Sequence, residues 1–154
     1  MLDKLINTVM KRFWILVLSL VIFSIPAMAD GDRPISVDKM PQKAQAFITK
    51  YFSGTSVAIA KQEGGIMDKS YDVVFKNGDK VEFDSKGNWE NIECRHSAVP
   101  RAAVPAAISK YLDENFPGTQ VREIDLDFRG YDVELSNGLD IEFDKNFLVR
   151  EIDR

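Results

Sequence analysis

The chain has 154 residues with 20 basic and 24 acidic side chains, one cysteine and one histidine. Its length holds one ordinary domain or two very small ones, and 45% apolar with 29% charged residues calls for a packed core, not a disordered or fibrous chain. A single His and a single Cys exclude zinc ribbons, disulfide frameworks and any site that needs two imidazoles or two thiolates.

The amino terminus reads as an export signal. Lys4, Lys11 and Arg12 lead into the apolar run Phe13 to Ile25, followed by Pro26 and the small-residue site Ala27-Met28-Ala29. A basic stretch, a short apolar run and a small-x-small site predict secretory cleavage, here after Ala29. The run is short for a membrane span, which needs roughly 20 apolar residues; an uncleaved anchor is the competing reading, and Met10 is an alternative start. Cleavage removes Lys4, Lys11, Arg12 and Asp3, leaving 125 residues with 17 basic and 23 acidic groups, destined for the periplasm or the exterior. Such an acidic chain is a poor match for nucleic acid or an anionic membrane surface, both of which require basic patches.

The remainder is one unit written twice. A shift of 64 aligns Met40–Val57 with Val104–Val121, matching Pro41/Pro105, Phe52/Phe116, Gly54/Gly118, Thr55/Thr119 and Val57/Val121. A shift of 60 aligns Tyr71–Asp84 with Tyr131–Asp144. The four extra residues of the first copy fall near Gly64-Gly65, where a hairpin tip tolerates insertion. Each copy opens with an amphipathic helix: Met40, Ala44, Phe47, Ile48, Tyr51 and Phe52 form one apolar stripe at helical spacing, and Val104, Ile108, Tyr111, Leu112 and Phe116 repeat it. Such a stripe is core packing before it is a cofactor box.

The period then changes to two. Tyr71, Val73 and Phe75 alternate with polar neighbours, Asn77-Gly78 follows, and Val81 and Phe83 resume the alternation; Asn137-Gly138 repeats the pattern. Asn-Gly between alternating runs predicts a hairpin with a type I′ turn. Further strands are expected through Val57–Gln62, Arg122–Phe128, Trp89 to Ile92, and Val149 to Ile152. The organisation is therefore a signal over 1–29, a flexible leader over 30–39, a first repeat over 40–95, a connector over 96–103 and a second repeat over 104–154. Each repeat is α-β-β-β-β. One repeat would be marginal alone, so the prediction is an α+β fold in which the copies join edge to edge. This gives one antiparallel sheet of about eight strands with both helices on one face.

The order of these parts resembles a known family. A signal, a Pro-led helix ending in Phe-x-Gly, then Tyr-Asp-Val, Asn-Gly, Glu-Phe-Asp, Gly-Asn-Trp and Ile-Glu-Cys, then a second copy, are similar to the PepSY-like, beta-lactamase-inhibitor-protein-like family of small exported Bacteroidetes proteins. The resemblance covers Pro34 to Arg154. It implies a tandem α/β fold with helices on one side and a broad, open, concave sheet on the other. The role expected here, a non-enzymatic binding protein that inhibits or regulates another exported protein through that face, is read from the residues and not from the fold. The inhibitor that lends its name to the fold offers an aromatic-rich face, and here that face is acidic.

By alternation, the side chains pointing away from the helices are Asp72, Val74, Lys76, Lys80, Glu82 and Asp84, then Asp132, Glu134, Asp140, Glu142 and Asp144. Trp89, placed opposite Ile92 by parity, is expected on the same face as an aromatic anchor unless a bulge precedes it; the alternative packs it over the sheet edge. The candidate binding face is accordingly Asp72, Val74, Glu82, Trp89, Asp132, Glu134, Asp140, Glu142 and Val149. Three readings of it compete: a module that binds a basic exported protein or peptide, a site for calcium or a small ligand, or a structural protein whose acids are simply solvated. Calcium lacks an EF-hand-like loop. No catalytic residue or cofactor is implied: His96 has no nucleophile or orienting acid at a recognisable spacing. Cys94 shares the inward parity of Ile92, as a buried thiol or, alternatively, an intermolecular disulfide.

Overall fold

The computed structural model describes residues 32–65 and 69–154. The predicted signal and its cleavage site lie outside the described residues. Alternating apolar residues take nine strands into a single antiparallel sheet whose spatial order is the chain order. They are β1 (Arg33–Ile35), β2 (Val57–Glu63), β3 (Ser70–Phe75), β4 (Lys80–Phe83), β5 (Trp89–Glu93), β6 (Val121–Leu126), β7 (Gly130–Leu135), β8 (Asp140–Asp144) and β9 (Val149–Asp153). Helix α1 (Gln42–Tyr51) lies between β1 and β2, and α2 (Ala106–Asn115) between β5 and β6. The sheet has one strand more than predicted. Arg33–Ile35, inside the segment read as a loose leader, pairs with Gln62, Lys61 and Ala60.

The copies fuse where β5 meets β6, with Asn91 opposite Asp125, Ile92 opposite Ile124 and Glu93 opposite Glu123. Ile92 and Ile124 have no solvent exposure, so the seam runs through the core. The connector is fastened as well. Cys94 N–H donates to the Arg122 carbonyl at 2.7 Å, and Val99 N–H to that of Val121 at 2.9 Å. Ser97 Oγ donates to the buried Asp79 carboxylate, 2.9 Å from each oxygen.

Both helices cover one face, and the repeated positions make the repeated contacts. Phe47 of α1 meets Phe83 edge-on at 5.7 Å, and its counterpart Tyr111 of α2 meets Phe143 edge-on at 5.4 Å. Phe52 stacks on Phe75 at 4.6 Å. Aromatic pairs in these geometries add about 0.5–1.5 kcal/mol each beyond the area they bury. Tyr71 is buried, and Tyr131 is half-buried between Trp89 and Phe147.

Local geometry departs from the sequence reading in two ways. First, the Asn-Gly turns are not type I′, because Phe147 is the one non-glycine residue with positive φ among the described residues. Gly78 N–H donates to the Phe75 carbonyl and Phe75 N–H to that of Asp79, and Leu135, Gly138 and Leu139 repeat this. Each is a three-residue loop closing on a glycine at positive φ, a type I turn with a bulge. Second, the register slips between Glu82 and Phe83 and again between Glu142 and Phe143, so that Trp89 pairs with Phe83 and Val149 with Phe143. Phe83 and Phe143 are core residues under the helices. Trp89 and Val149, expected on the open face, therefore lie on the helix side and pack against the core. One extra residue in each bulge reverses the parity that simple alternation assigns.

The turn after β4 carries the closest approach in the first repeat. Gly87 has φ +81°, and a Cβ there would stand 2.8 Å from the Ala44 nitrogen and 2.9 Å from Pro41 Cβ. The start of α1 rests directly on this turn. Gly138 (φ +78°) has open space around it. Gly138→Ala should cost about 1 kcal/mol, the left-handed backbone alone. Gly87→Ala should cost about 2 kcal/mol more, because α1 must also move. Urea unfolding of both variants measures the difference, and equal losses would contradict this packing.

Candidate functional site

Cross-strand register organises the open face into two continuous rows. One runs Lys61, Asp72, Glu82, Asn91, Asp125, Asp132, Glu142, Glu151, each residue opposite the next. The other runs Ile59, Val74, Lys80, Glu93, Glu123, Glu134, Asp140, Asp153. Seven of the nine predicted face residues are here: Asp72, Val74, Glu82, Asp132, Glu134, Asp140 and Glu142. The structure adds Asn91, Glu93, Glu123, Asp125, Glu151 and Asp153, which the sequence reading missed because it fixed those strands only by their apolar ends.

The two halves of this lattice differ in charge. The first repeat supplies two lysines against three carboxylates, with Ile59, Val74 and Asn91 neutral. Lys80 Nζ lies 3.2 Å from Asp72 Oδ2, and Lys61 Nζ lies 2.8 Å from Glu63 Oε1 and 4.0 Å from Asp72 Oδ2. Asp72 is 6% exposed, and burial pushes its carboxyl up while the Lys80 ammonium offsets that in part. A buried carboxylate between two lysines is a compensated structural group.

The second repeat supplies eight carboxylates to its eight positions and no cation. At the shifts of 64 and 60, Ile59 becomes Glu123, Lys61 becomes Asp125, Val74 becomes Glu134, Lys80 becomes Asp140 and Asn91 becomes Glu151. All eight acids line a concavity of about 350 Å³. The nearest cations come from its margins: Arg150 Nη1 is 3.8 Å from Glu142 Oε2, and Arg129 Nη2 is 3.9 Å from Asp132 Oδ2. Asn91 Nδ2 donates to Glu123 Oε1 at 2.7 Å and reaches Asp125 Oδ2 at 3.4 Å. Burial pushes the Glu123 carboxyl up despite that hydrogen bond, and burial together with the Glu142 charge pushes Asp132 up. Like charges directly opposite one another on a sheet are destabilising. This half of the face is held in a state that a cation would relieve. Among the described residues, however, no group of three or more His, Cys, Asp or Glu side chains is arranged to hold a metal ion.

The groups that nucleophilic chemistry would draw on are differently placed. Cys94 has no exposure, and burial, then the Asp79 charge, raise its thiol to about 12, far from a reactive thiolate. His96 is exposed at the connector, beside the Gly78 turn.

The raised carboxyls fix a sign for the pH dependence. The folded state holds protons on Glu123 and Asp132 to higher pH than the unfolded chain does. Their ionisation penalty is absent below the unfolded pKa and complete above the folded one. Their contribution therefore makes the fold more stable as pH drops from neutral into the upper carboxylate range. Glu123→Gln keeps an oxygen for Asn91, should add about 0.2–1 kcal/mol at neutral pH, and should flatten this trend. Denaturant midpoints between neutral and weakly acidic pH check it; a variant less stable than the parent at neutral pH would contradict it.

The chain was compared with known proteins. Residues 69–151 match the model of the PepSY_like family, described as "Putative beta-lactamase-inhibitor-like, PepSY-like". No curated protein matches. Among solved structures, a "putative calcium-regulated periplasmic protein" from Bacteroides thetaiotaomicron is 50% identical, covering 80% of this chain and 97% of its own, with a TM-score of 0.77. A DUF2874-family periplasmic protein from Bacteroides vulgatus is 51% identical over 82% of this chain and 99% of its own, with a TM-score of 0.78. A periplasmic protein of unknown function from Bacteroides vulgatus is 37% identical over 80% of this chain and 100% of its own, with a TM-score of 0.74. No helix of the described residues is long and apolar enough to cross a membrane. The duplicated helix-and-hairpin unit, the continuous sheet and these matches agree: the chain belongs to the PepSY-like, beta-lactamase-inhibitor-like family.

Proposed function

We propose that this is a non-enzymatic exported binding protein that presents the carboxylate half of its open sheet face to a cationic partner, a basic segment of another exported protein. One observation carries the reading. The two lysines that offset most of the charge on the first half of the lattice, Lys61 and Lys80, are aspartates at the matching positions 125 and 140 of the second. A face that served only to wet the sheet would work equally well with the first-repeat pattern, in which two lysines stand against three carboxylates. Uncompensated charge instead steers a cationic partner and sets its orientation. Export is supported by the basic-apolar-small order of the first 29 residues and by relatives described as periplasmic.

Calcium is the second reading, favoured by the relative described as "putative calcium-regulated" and by an all-oxygen donor set suited to a hard cation. The carboxylates would have to draw together to coordinate it, since none of the described groups is arranged for a metal now.

One experiment separates the readings. The mature protein is titrated with an oligolysine peptide at low and high salt, beside the Asp125→Lys/Asp140→Lys variant that restores the first-repeat pattern. The proposal expects affinity that falls steeply with salt and drops at least about tenfold in the variant. Equal binding by parent and variant would overturn it. Thermal unfolding with and without calcium at about 1 mM tests the second reading. A rise in midpoint lost in the variant, without peptide binding, would transfer the function to calcium. No response to either ligand would leave the acids as a solvated face.

A further inference from the structure

The two carboxylate rows end at β9, and β9 is an edge. Among the described residues β9 pairs only with β8. The opposite edge is guarded: β1 is three residues long and contains Pro34, which has no amide hydrogen to offer. The β9 edge, Val149–Asp153, is longer and contains no proline; the bulge at Arg150 interrupts it, and Glu151–Asp153 beyond the bulge stay in regular register with β8. Its side chains are sorted by face. Glu151 and Asp153 continue the carboxylate rows, opposite Glu142 and Asp140. Ile152 sits opposite the core residue Ile141 on the helix side, yet is 45% exposed, because no strand lies beyond it.

Resting on the cationic-partner reading above, we propose that β9 takes an extended segment of that partner as a tenth strand. Main-chain hydrogen bonds would zip the segment to the edge, and its side chains would alternate to match the two faces. Residues beside Glu151 and Asp153 are basic and extend over the concavity. The residue between them is apolar and covers Ile152. A second copy of this chain fits poorly. In an antiparallel β9–β9 pair that keeps the faces aligned, Glu151 and Asp153 meet themselves or each other, and like charges opposite one another repel. Arg150 sits in the bulge and its guanidinium is turned to Glu142 at 3.8 Å, so over Glu151–Asp153 charge disfavours self-association and favours a strand of the opposite sign.

The test uses the mature protein and three sets of short capped peptides, read by fluorescence anisotropy at low salt. The first is Thr-Lys-Val-Lys-Val-Lys-Thr. The second has the same composition with its lysines and valines in blocks. The third is the alternating peptide N-methylated on one or the other alternate set of residues, which removes the hydrogen-bond donors of one edge at a time. Strand addition expects the alternating peptide to bind at least about tenfold tighter than the block peptide. It further expects methylation of one set to abolish this gain while the other set is tolerated, and amide exchange over β9 to slow on binding. Equal binding of alternating and block peptides, indifference to methylation, or unchanged exchange in β9 would each overturn strand addition and leave salt-dependent binding to the face standing. Failure of every peptide to bind would remove both.

Discussion

Everything else in this molecule depends on the antiparallel pairing of β5 with β6. A repeat of no more than 56 residues has too little core to be secure by itself, and Ile92 opposite Ile124 merges the two small cores into one. The same pairing brings the hairpins of both copies into a common register, and only then do their outward residues form rows crossing the whole sheet. A slip of one residue at this seam would send every outward acid of one copy into the core side. Fold and candidate site thus have a common cause.

The duplication supplies the backbone twice and lets the two surfaces diverge. Helix-side positions keep their character: Phe47 and Tyr111 lie over Phe83 and Phe143 in the same edge-on geometry. Open-face positions do not. The first copy sets two lysines around Asp72, and the second makes a field of carboxylates with arginines only at its margins. The turns diverge too. Gly87 lets α1 settle onto the first sheet half, whereas the matching Phe147 holds positive φ and stacks on Tyr131 at 5.3 Å.

Much of this was legible in the chain, because alternation and helical spacing report which face is buried, and burial is what folds the sheet. The duplication, both helices, the joined sheet and most of the acidic face follow from that pattern. The misses share a physical origin in features without periodicity. β1 is too short and contains proline, so nothing marks it as a strand. Parity counted through the turns puts Trp89 and Val149 on the open face, and a bulge after each turn reverses the count. The Asn-Gly turns close on a bulge as well, which strand patterns do not distinguish from the tighter form. The exchange of Lys61 and Lys80 for Asp125 and Asp140 lay in the sequence all along, visible once the copies are set side by side, but its meaning needed the cross-strand register.

The central claim is that the second half of the open face carries charge the protein itself does not compensate. Side-chain carboxyl titration by NMR measures this residue by residue. The account predicts Glu123 and Asp132 titrating above ordinary carboxylates in the free protein, and returning toward ordinary values when lysines stand at positions 125 and 140. Ordinary values for both in the unmodified protein, or raised values that the lysines leave unchanged and that burial alone then explains, would contradict the account.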